Sequence, residues 1–432
     1  MSSHTTHPYH EVLIIGGGQA GLSLSYLLKQ RGVPHLILEK HRLGHAWRSE
    51  RWDSFCLVTP NWQCALPGFP YRGDDPDGFM VKQQIVDYID GYIAAFAPPA
   101  REGVTVTAVR AVAPENGGGY EVATDAGLFR AGQVVVAVGG YHTPILPADA
   151  AQLPANVAQL HSSDYVNPGR LPDGEVLVVG TGQSGCQIAE DLHLAGRKVH
   201  LCVGDAPRVA RRYRGKDVVK WLDEMAYYDL PVERHPLGAG VRDKTNHYVT
   251  GRDGGRDIDL RKFALEGMAL YGRYQGLRGG VAHFGDDLRA NLDGADAVYR
   301  KINDSIDRHI EAHGIAAPAQ APYEPLWQPA ADAPATLDLA RVAAVVWCIG
   351  FRTDFGWIDA DIFDRRGYPR HERGVTEAAG LYFLGLPWQY TWGSGRFSGV
   401  GRDAEHLAAH IAARMDAGID AATHAAPASA LA

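Results

Sequence analysis

Val12-Leu13-Ile14-Ile15-Gly16-Gly17-Gly18-Gln19-Ala20-Gly21 is the stretch that decides how this chain folds. Four β-favouring aliphatics run into three glycines, and Leu22-Ser23-Leu24-Ser25-Tyr26-Leu27-Leu28-Lys29 continues with apolar positions at helical spacing. The stretch predicts a strand, a tight turn and a helix. The pattern Gly16-x-Gly18-x-x-Gly21 has little weight alone, because a chain with 50 glycines among 432 residues supplies roughly one match by chance. Its surroundings carry the argument. A second strand, Leu36-Ile37-Leu38, ends in Glu39, 18 residues past Gly21, where a dinucleotide-binding unit needs a carboxylate for the adenosine ribose hydroxyls. The glycines let main chain approach a diphosphate, and the helix start offers it free N–H groups and the positive end of a dipole.

The arrangement returns 164 residues later. Glu175-Val176-Leu177-Val178-Val179 runs into Gly180-Thr181-Gly182-Gln183-Ser184-Gly185, a helix from Cys186 to Ala195 follows, and a strand over Lys198–Val203 closes the unit. Gly204 stands at the end of that strand in place of an acid, and Arg208, Arg211, Arg212 and Arg214 come after it. Arginine forks grip a 2′-phosphate that an acid would repel, so the cluster predicts NADPH over NADH. Asp205 keeps open the alternative of a solvated basic turn.

Composition bounds the rest. At 432 residues the prior is two or three domains, and 46% hydrophobic with 21% charged residues is ordinary for a soluble enzyme. A net charge of −8 argues against nucleic acid or an anionic membrane as partner. No run approaches ~20 apolar residues, and Met1 to His10 has no signal-peptide core, so a cytoplasmic location is expected. The five cysteines (Cys56, Cys64, Cys186, Cys202, Cys348) form no C-x-x-C pair, which predicts reduced, packed thiols and no disulfide-reducing centre. None of the 19 histidines falls in a metal-ligand pattern, so no metal is expected.

Between and after the two units, residues 81 to 96 read as an amphipathic helix. Val104–Val109, Tyr120–Thr124 and Ala131–Gly140 read as an antiparallel meander feeding a buried strand. Residues 215 to 340 predict helices over Asp217–Tyr228, Asp257–Tyr271 and Ala295–His313, the last with a ridge at Ile302, Ile306 and Ile310, and 316 to 336 read as a linker. Strands are expected near 342–349 and 380–386, then a closing helix and a disordered tail over 416–432.

Four of these motifs, in this order, resemble the class B flavoprotein monooxygenases, which include the flavin-containing and Baeyer–Villiger monooxygenases, N-hydroxylases and the plant auxin-forming enzymes. They are the turn Gly16 to Gly21, the turn Gly180-x-Gly182-x-Ser184-Gly185, the strand Trp347-Cys348-Ile349-Gly350-Phe351-Arg352, and Leu381-Tyr382-Phe383-Leu384-Gly385. The likeness spans roughly residues 10 to 412. It implies an α/β chain with two Rossmann-like dinucleotide-binding domains: a discontinuous FAD domain (1–165 and 338–415) with an NADPH domain inserted at 170–337. The family's linker motif, Phe-x-Gly-x-x-x-His-x-x-x-aromatic, survives only as Ala155-x-Val157-x-x-x-His161-Ser162-Ser163-Asp164-Tyr165, which points to a divergent bacterial branch.

The resemblance implies that NADPH reduces the flavin, that reduced flavin adds O₂ at carbon 4a, and that retained NADP⁺ keeps water from the adduct. A small organic substrate then takes oxygen at nitrogen, sulfur or carbon, or by Baeyer–Villiger insertion; the alternative is NADPH oxidation without insertion. FAD would be held by Gly16, Gly18, Gln19, Ala20, Gly21, Glu39, Lys40, Trp47, Arg48, Val106, Gly139, Gly350, Ser398, Gly399 and Val400. NADPH would be held by Gly180, Gly182, Gln183, Ser184 and Gly185, with Arg208, Arg211 and Arg212 on its 2′-phosphate. Asn61 is the catalytic candidate beside the flavin, and Trp388, Tyr390 and Trp392 are candidates for the substrate pocket. The partners implied are a small molecule and O₂, with no nucleic acid and no membrane; oligomeric state is left open.

Overall fold

Each glycine turn stands at the carboxyl edge of its own sheet in the computed structural model, which describes residues 8–331 and 333–425. In the first sheet β1 (Tyr9–Ile15) enters the turn before α1 (Gln19–Gln30), and β2 (His35–Glu39) pairs parallel to β1 with Val12 opposite His35. Beyond α2 (Lys82–Phe96), β3 (Ala100–Glu102) extends this side of the sheet. On the other side the antiparallel meander β4 (Val106–Ala111), β5 (Tyr120–Thr124) and β6 (Gly127–Val136) is laid against β1 by the parallel pairing of β6.

The second sheet is parallel throughout. It runs β7 (Ala158–His161), β11 (Val342–Trp347), β8 (Glu175–Val179), β9 (Val199–Cys202) and β10 (Ala269–Tyr271) across its width. The turn after β8 leads into α3 (Gln183–Leu194). Central strands of both sheets read as continuous aliphatic runs because both faces are covered, and Val12, Leu13, Ile14, Val176 and Val178 are fully buried. The helix α5 (Leu260–Leu265) and the first turns of α6 (Leu288–Ala312) pack on the second sheet, whereas α4 (Val218–Glu224) packs against the later turns of α6. The α6 ridge is real: Ile306 and Ile310 are buried against Trp221 and Tyr299, with Ile302 at the margin. Finally β12 (Leu381–Phe383) pairs with the end of β6, and α7 (Val400–Ala425) packs Ala404, Leu407, Ala408 and Ile411 into the same core as α1.

The sheets redraw the expected domain limits. Ala158–His161 and Val342–Trp347, placed by sequence in the first domain, form β7 and β11 of the second sheet. An aliphatic run this apolar needs parallel neighbours on both sides, and β7 and β8 provide them. The chain crosses between sheets where Phe351 pairs with Pro144 and Arg352 with Thr143. The helix expected over Asp257–Tyr271 is also corrected: it stops at Leu265, Gly267 takes φ +102°, and the chain becomes β10. α7 is drawn as helix to Ala425, and the remainder of the expected tail, 426–432, lies outside the described residues.

The turns close by the same device. Gly16 (φ +106°) and Gly180 (φ +107°) lie so near the next strand end that a Cβ would sit 2.6 Å from the Ala137 and Cys348 carbonyl oxygens respectively. A Cβ on Gly21 or Gly185 would stand 2.0 and 1.9 Å from the carbonyl oxygens of Gly16 and Gly180. Helix and strand meet here at a distance only hydrogen permits. Gly185→Ala is therefore expected to cost about 1–3 kcal/mol in a denaturant titration, more than the same substitution at Gly196, where a Cβ meets open space but φ is +77°.

Candidate functional site

At the first turn the cap of α1 is Gly18, which carries no side chain to occupy the orphan N–H groups, and space is open around its Cα. Glu39 stands over this opening with Oε2 accepting from the Gly17 N–H at 2.6 Å and Oε1 from the His41 N–H at 2.8 Å. An uncapped helix start, a main-chain hollow and a fixed carboxylate are what a dinucleotide's diphosphate and ribose require, so these residues fit the group. Gln19 reaches out of the turn: its Nε2 donates to the Gly395 carbonyl (3.1 Å) and its Oε1 accepts from Trp47 Nε1 (3.0 Å). Trp47 in turn stacks on Phe397 with ring centres 5.0 Å apart. Ala20 is buried beneath the turn and Val400 beneath the start of α7, while Gly399 packs on Gly393 so closely that a Cβ would approach its main chain to 2.5 Å. Ser398 and Val106 are half-buried, Lys40 is exposed, and Gly139 and Gly350 flank the crossing between sheets.

The second turn repeats the hollow. Its cap is Gly182, again without a side-chain bond, with Ser184 half-buried in the first turn of α3. Gln183 Nε2 donates to the Val249 carbonyl. At the end of β9 the buried Val203 occupies the register position that Glu39 has in the first unit, and the Gly204 N–H after it donates to Thr181 Oγ1 at 2.9 Å. The acid-free stretch ends there, because the next residue, Asp205, is exposed and pairs with Arg273 at 3.3 Å.

Several expected ligands are engaged elsewhere. Arg208 is buried between the rings of Tyr299 and Tyr323, with Asp259 and Asp296 at 3.4 and 3.3 Å. Arg211 is buried over Phe79, bonded to Asp217 (2.5 Å) and the Val58 carbonyl (2.7 Å). These two guanidinium groups neutralise internal acids and are not available to a phosphate, since withdrawal would strand buried carboxylates at about 3–5 kcal/mol. Only Arg212 of the trio is exposed. Arg48 pairs with Asp90 of α2. Asn61, the catalytic candidate, is buried with Nδ2 donating to the Asp75 carbonyl (2.9 Å) and Oδ1 accepting from the Met80 N–H (2.7 Å). Its amide braces the 75–80 loop, which is a scaffold task.

Sequence reading also missed Arg273. It lies 69 positions past Gly204 and reaches Asp205 only because β10 pairs beside β9.

The aromatic loop after β12 is held from below. Ser394 Oγ accepts from the N–H groups of Tyr390 (2.9 Å) and Thr391 (3.0 Å), and Asp403 in the first turn of α7 is buried with neither carboxyl oxygen hydrogen-bonded among the described residues. Trp388, at φ +51°, is buried against Val232, Val241 and the His235 ring, so it fills space. Tyr390 lies under Arg373, and Trp392 lies between Tyr228 and Arg396. Only these last two keep half-exposed faces. The linker residues are bound as well: neutral His161, its pKa lowered by burial, donates to the Gly350 carbonyl (3.0 Å), and Tyr165 donates to Asp191 (2.7 Å). Asp191 also accepts from Ser54 and Arg252, each at 2.6 Å.

The five cysteines are free and buried. Among the described residues no helix is long and apolar enough to cross a membrane, and no group of three or more His, Cys, Asp or Glu is arranged to hold a metal ion.

Comparison with known proteins adds three findings. The family model for pyridine nucleotide-disulphide oxidoreductases matches residues 13–226. An uncharacterized CzcO-like oxidoreductase of Geobacillus kaustophilus is 33% identical over 401 residues, covering 92% of this chain and 97% of the relative, whereas the indole-3-pyruvate monooxygenase YUCCA1 of Oryza sativa is 32% identical over 202 residues, 46% of this chain and 49% of its own. Among solved structures, the flavin-containing monooxygenase from Stenotrophomonas maltophilia shares the fold with a TM-score of 0.60 at 20% identity, over 94% of this chain and 99% of that one.

Two measurements test this geometry. Arg273→Ala is expected to weaken NADPH about 10-fold and NADH less than about 3-fold by equilibrium binding, whereas Arg208→Ala should chiefly lower stability, by about 3 kcal/mol; equal effects of Arg273→Ala on both coenzymes would remove it from the 2′-phosphate. Burial lifts the Asp403 carboxyl to about 6. A raised acid holds its proton more tightly folded than unfolded, so stability falls as pH rises from about 4 past 6. Asp403→Asn should therefore gain about 2 kcal/mol on the parent chain between pH 4 and pH 8, and a difference that does not change with pH would contradict this.

Proposed function

We propose, from the premise that this chain belongs to the family of the CzcO-like oxidoreductases, that it is a cytoplasmic FAD-dependent, NADPH-consuming monooxygenase that oxygenates a small organic molecule with O₂. The observation that carries this reading is the pair of uncapped glycine turns, alike in their close contacts and differing at the second strand end: Glu39 in one, the uncharged Val203 and Gly204 in the other. The first suits the ribose of FAD and the second a phosphorylated ribose. Reduction of a disulfide has no support in the residues, since the five cysteines are separately buried and form no C-x-x-C pair.

Bound FAD supplies hydride acceptance and activation of O₂. The chain does the rest by binding and drying. The first turn of α1 receives the diphosphate, Glu39 accepts from ribose hydroxyls, and Gln19 holds Trp47 and the Gly395 main chain in fixed positions beside it. Trp47, Phe55 and Phe397 form an apolar wall that excludes water. No side-chain triad is needed.

A second reading, NADPH oxidation without oxygen insertion, is favoured by one observation: Asn61, the amide expected beside the flavin, is committed to the 75–80 loop. The two separate by mass. Turnover under ¹⁸O₂ with a panel of amines, sulfides, ketones and carboxylic acids is expected to place one labelled oxygen in an organic product. NADPH consumption matched by hydrogen peroxide, with unlabelled organics throughout, would leave the second reading standing.

A further inference from the structure

We infer that residues 242–247 cover the seat of the coenzyme diphosphate when no coenzyme is bound, that Arg396 latches this cover, and that NADPH enters by lifting it. The inference rests on the reading that the second turn takes NADPH. The two turns differ in what stands over them. At the first, a Cβ built on Gly18 meets nothing within 4 Å, whereas at the second a Cβ on Gly182 would touch Thr245 Cγ2 at 3.7 Å. The middle glycine of such a turn lacks a side chain so that a diphosphate can lie against its main chain. A methyl group in van der Waals contact with the missing Cβ fills that same space. Thr245 in this position and a diphosphate on Gly182 therefore exclude one another.

The cover is part of a strap from the second unit laid across the first. The Val232 N–H donates to the Tyr390 carbonyl (2.7 Å), and Val232 and Val241 are buried against Trp388. Arg242 Nε donates to the Trp388 carbonyl (3.2 Å), Asp243 pairs with Arg366, and Asn246 Oδ1 accepts from Arg396 Nη2 (3.1 Å). The strap rejoins its own unit at the buried Tyr248, whose N–H donates to the Pro207 carbonyl (3.0 Å), and at Val249, whose carbonyl accepts from Gln183 at the start of α3.

Little holds the cover itself. Asp243, Lys244, Thr245 and Asn246 are exposed, and among the described residues the N–H groups of Thr245, Asn246 and His247 donate to no main-chain carbonyl. Lifting this stretch uncovers almost no apolar surface, so its resistance lies in its polar bonds. The Asp243–Arg366 pair is exposed on both sides and contributes little. Arg396 is better placed to hold. It is half-buried, its guanidinium lies 3.8 Å from the Trp392 ring centre, and the Trp392 carbonyl accepts from its Nη1, so its other nitrogen is aimed at Asn246. The aromatic loop after β12 thereby closes the second turn. A direct contact of Arg396 with the diphosphate is the competing role, and the two roles have opposite signs. A latch weakens apparent affinity by keeping the open state scarce, whereas a ligand strengthens it.

The experiment titrates FAD-loaded, full-length protein with NADP⁺ by calorimetry, and follows trypsin cleavage after Arg242 and Lys244 by mass spectrometry with and without NADP⁺. Arg396→Met and Asn246→Ala are each expected to tighten NADP⁺ about 3- to 10-fold, as loss of one closing hydrogen bond requires. The double variant should go no further than either alone, because both remove the same bond. Thr245→Gly, which takes the methyl off Gly182, should tighten NADP⁺ at least about 2-fold. Bound NADP⁺ should speed cleavage at Lys244 about 5-fold or more, since proteolysis follows the lifted population. Asn246→Ala and Thr245→Gly change exposed residues and decide the matter if Arg396→Met loads no FAD. Unchanged or weaker NADP⁺ binding in Asn246→Ala or Arg396→Met overturns the inference, as does protection of Lys244 by NADP⁺, the mark of a cover that closes over its ligand. Parent protein that binds neither NADP⁺ nor NADPH defeats the reading of the second turn and this inference with it. Parent protein that binds NADP⁺ as tightly as all its variants defeats this inference alone.

Discussion

Asp191 is where three stretches of chain far apart in sequence become one structure. It lies on α3, two turns beyond the second glycine turn, and is almost wholly buried. A carboxylate so placed must be surrounded by donors, and the three it has come from Ser54, Tyr165 and Arg252. Ser54 belongs to the segment that follows the Trp47 wall, Tyr165 to the connection between β7 and β8, and Arg252 to the stretch between β9 and β10. Of the three bonds, the one from Ser54 ties the second unit to the first. Beside it Glu190, also buried and lifted by burial above the usual carboxylate range, has Arg256 at 3.2 Å. The joint between the two sheets is mixed: Ser54 donates across it to Asp191, Trp52 and Phe55 pack into the core of the second sheet, and the acids are spaced along a helix whose other end receives a diphosphate in the proposed function.

What was legible in the sequence was whatever depends on neighbours along the chain. The turns at Gly16 and Gly180 could be read because strand, turn and helix are contiguous, and the acid at Glu39 because the unit has a fixed length. The amphipathic α2 and the ridge of α6 were legible for the same reason. The domain limits were not: Val342–Trp347 looks like any buried strand, and nothing in its residues says which sheet will take it. That is decided by pairing partners some 170 to 190 positions away.

The arginines after β9 show a second limit. Charge type can be read from a sequence, but not whether the charge is already satisfied. Arg208 and Arg211 are matched by Asp259, Asp296 and Asp217, acids from other elements that no local pattern connects to them. Asn61 is similar, since its partners at Asp75 and Met80 close a loop and leave the amide turned away from chemistry. Conversely Arg51 and Arg396, half-buried with no acid within 4.0 Å among the described residues, sit in stretches whose aromatic character drew attention while their charge did not. Such a cation can be recognised only once every acid has been located.

The middle strand of the second sheet, β11, has a consequence for how the protein comes to exist. The Gly180 turn is closed by the Cys348 carbonyl, so a chain emerging from the ribosome holds its second nucleotide cradle open for some 170 residues after the cradle itself has been made. The first sheet waits longer still, for β12 and α7. Synthesis order and folding order are thus opposed, and both halves of the molecule are completed by its final quarter. Until then β8 lacks its neighbour β11 and the core around α1 lacks α7, so the nascent chain carries incomplete sheets at the stage when its most recognisable motifs are already present.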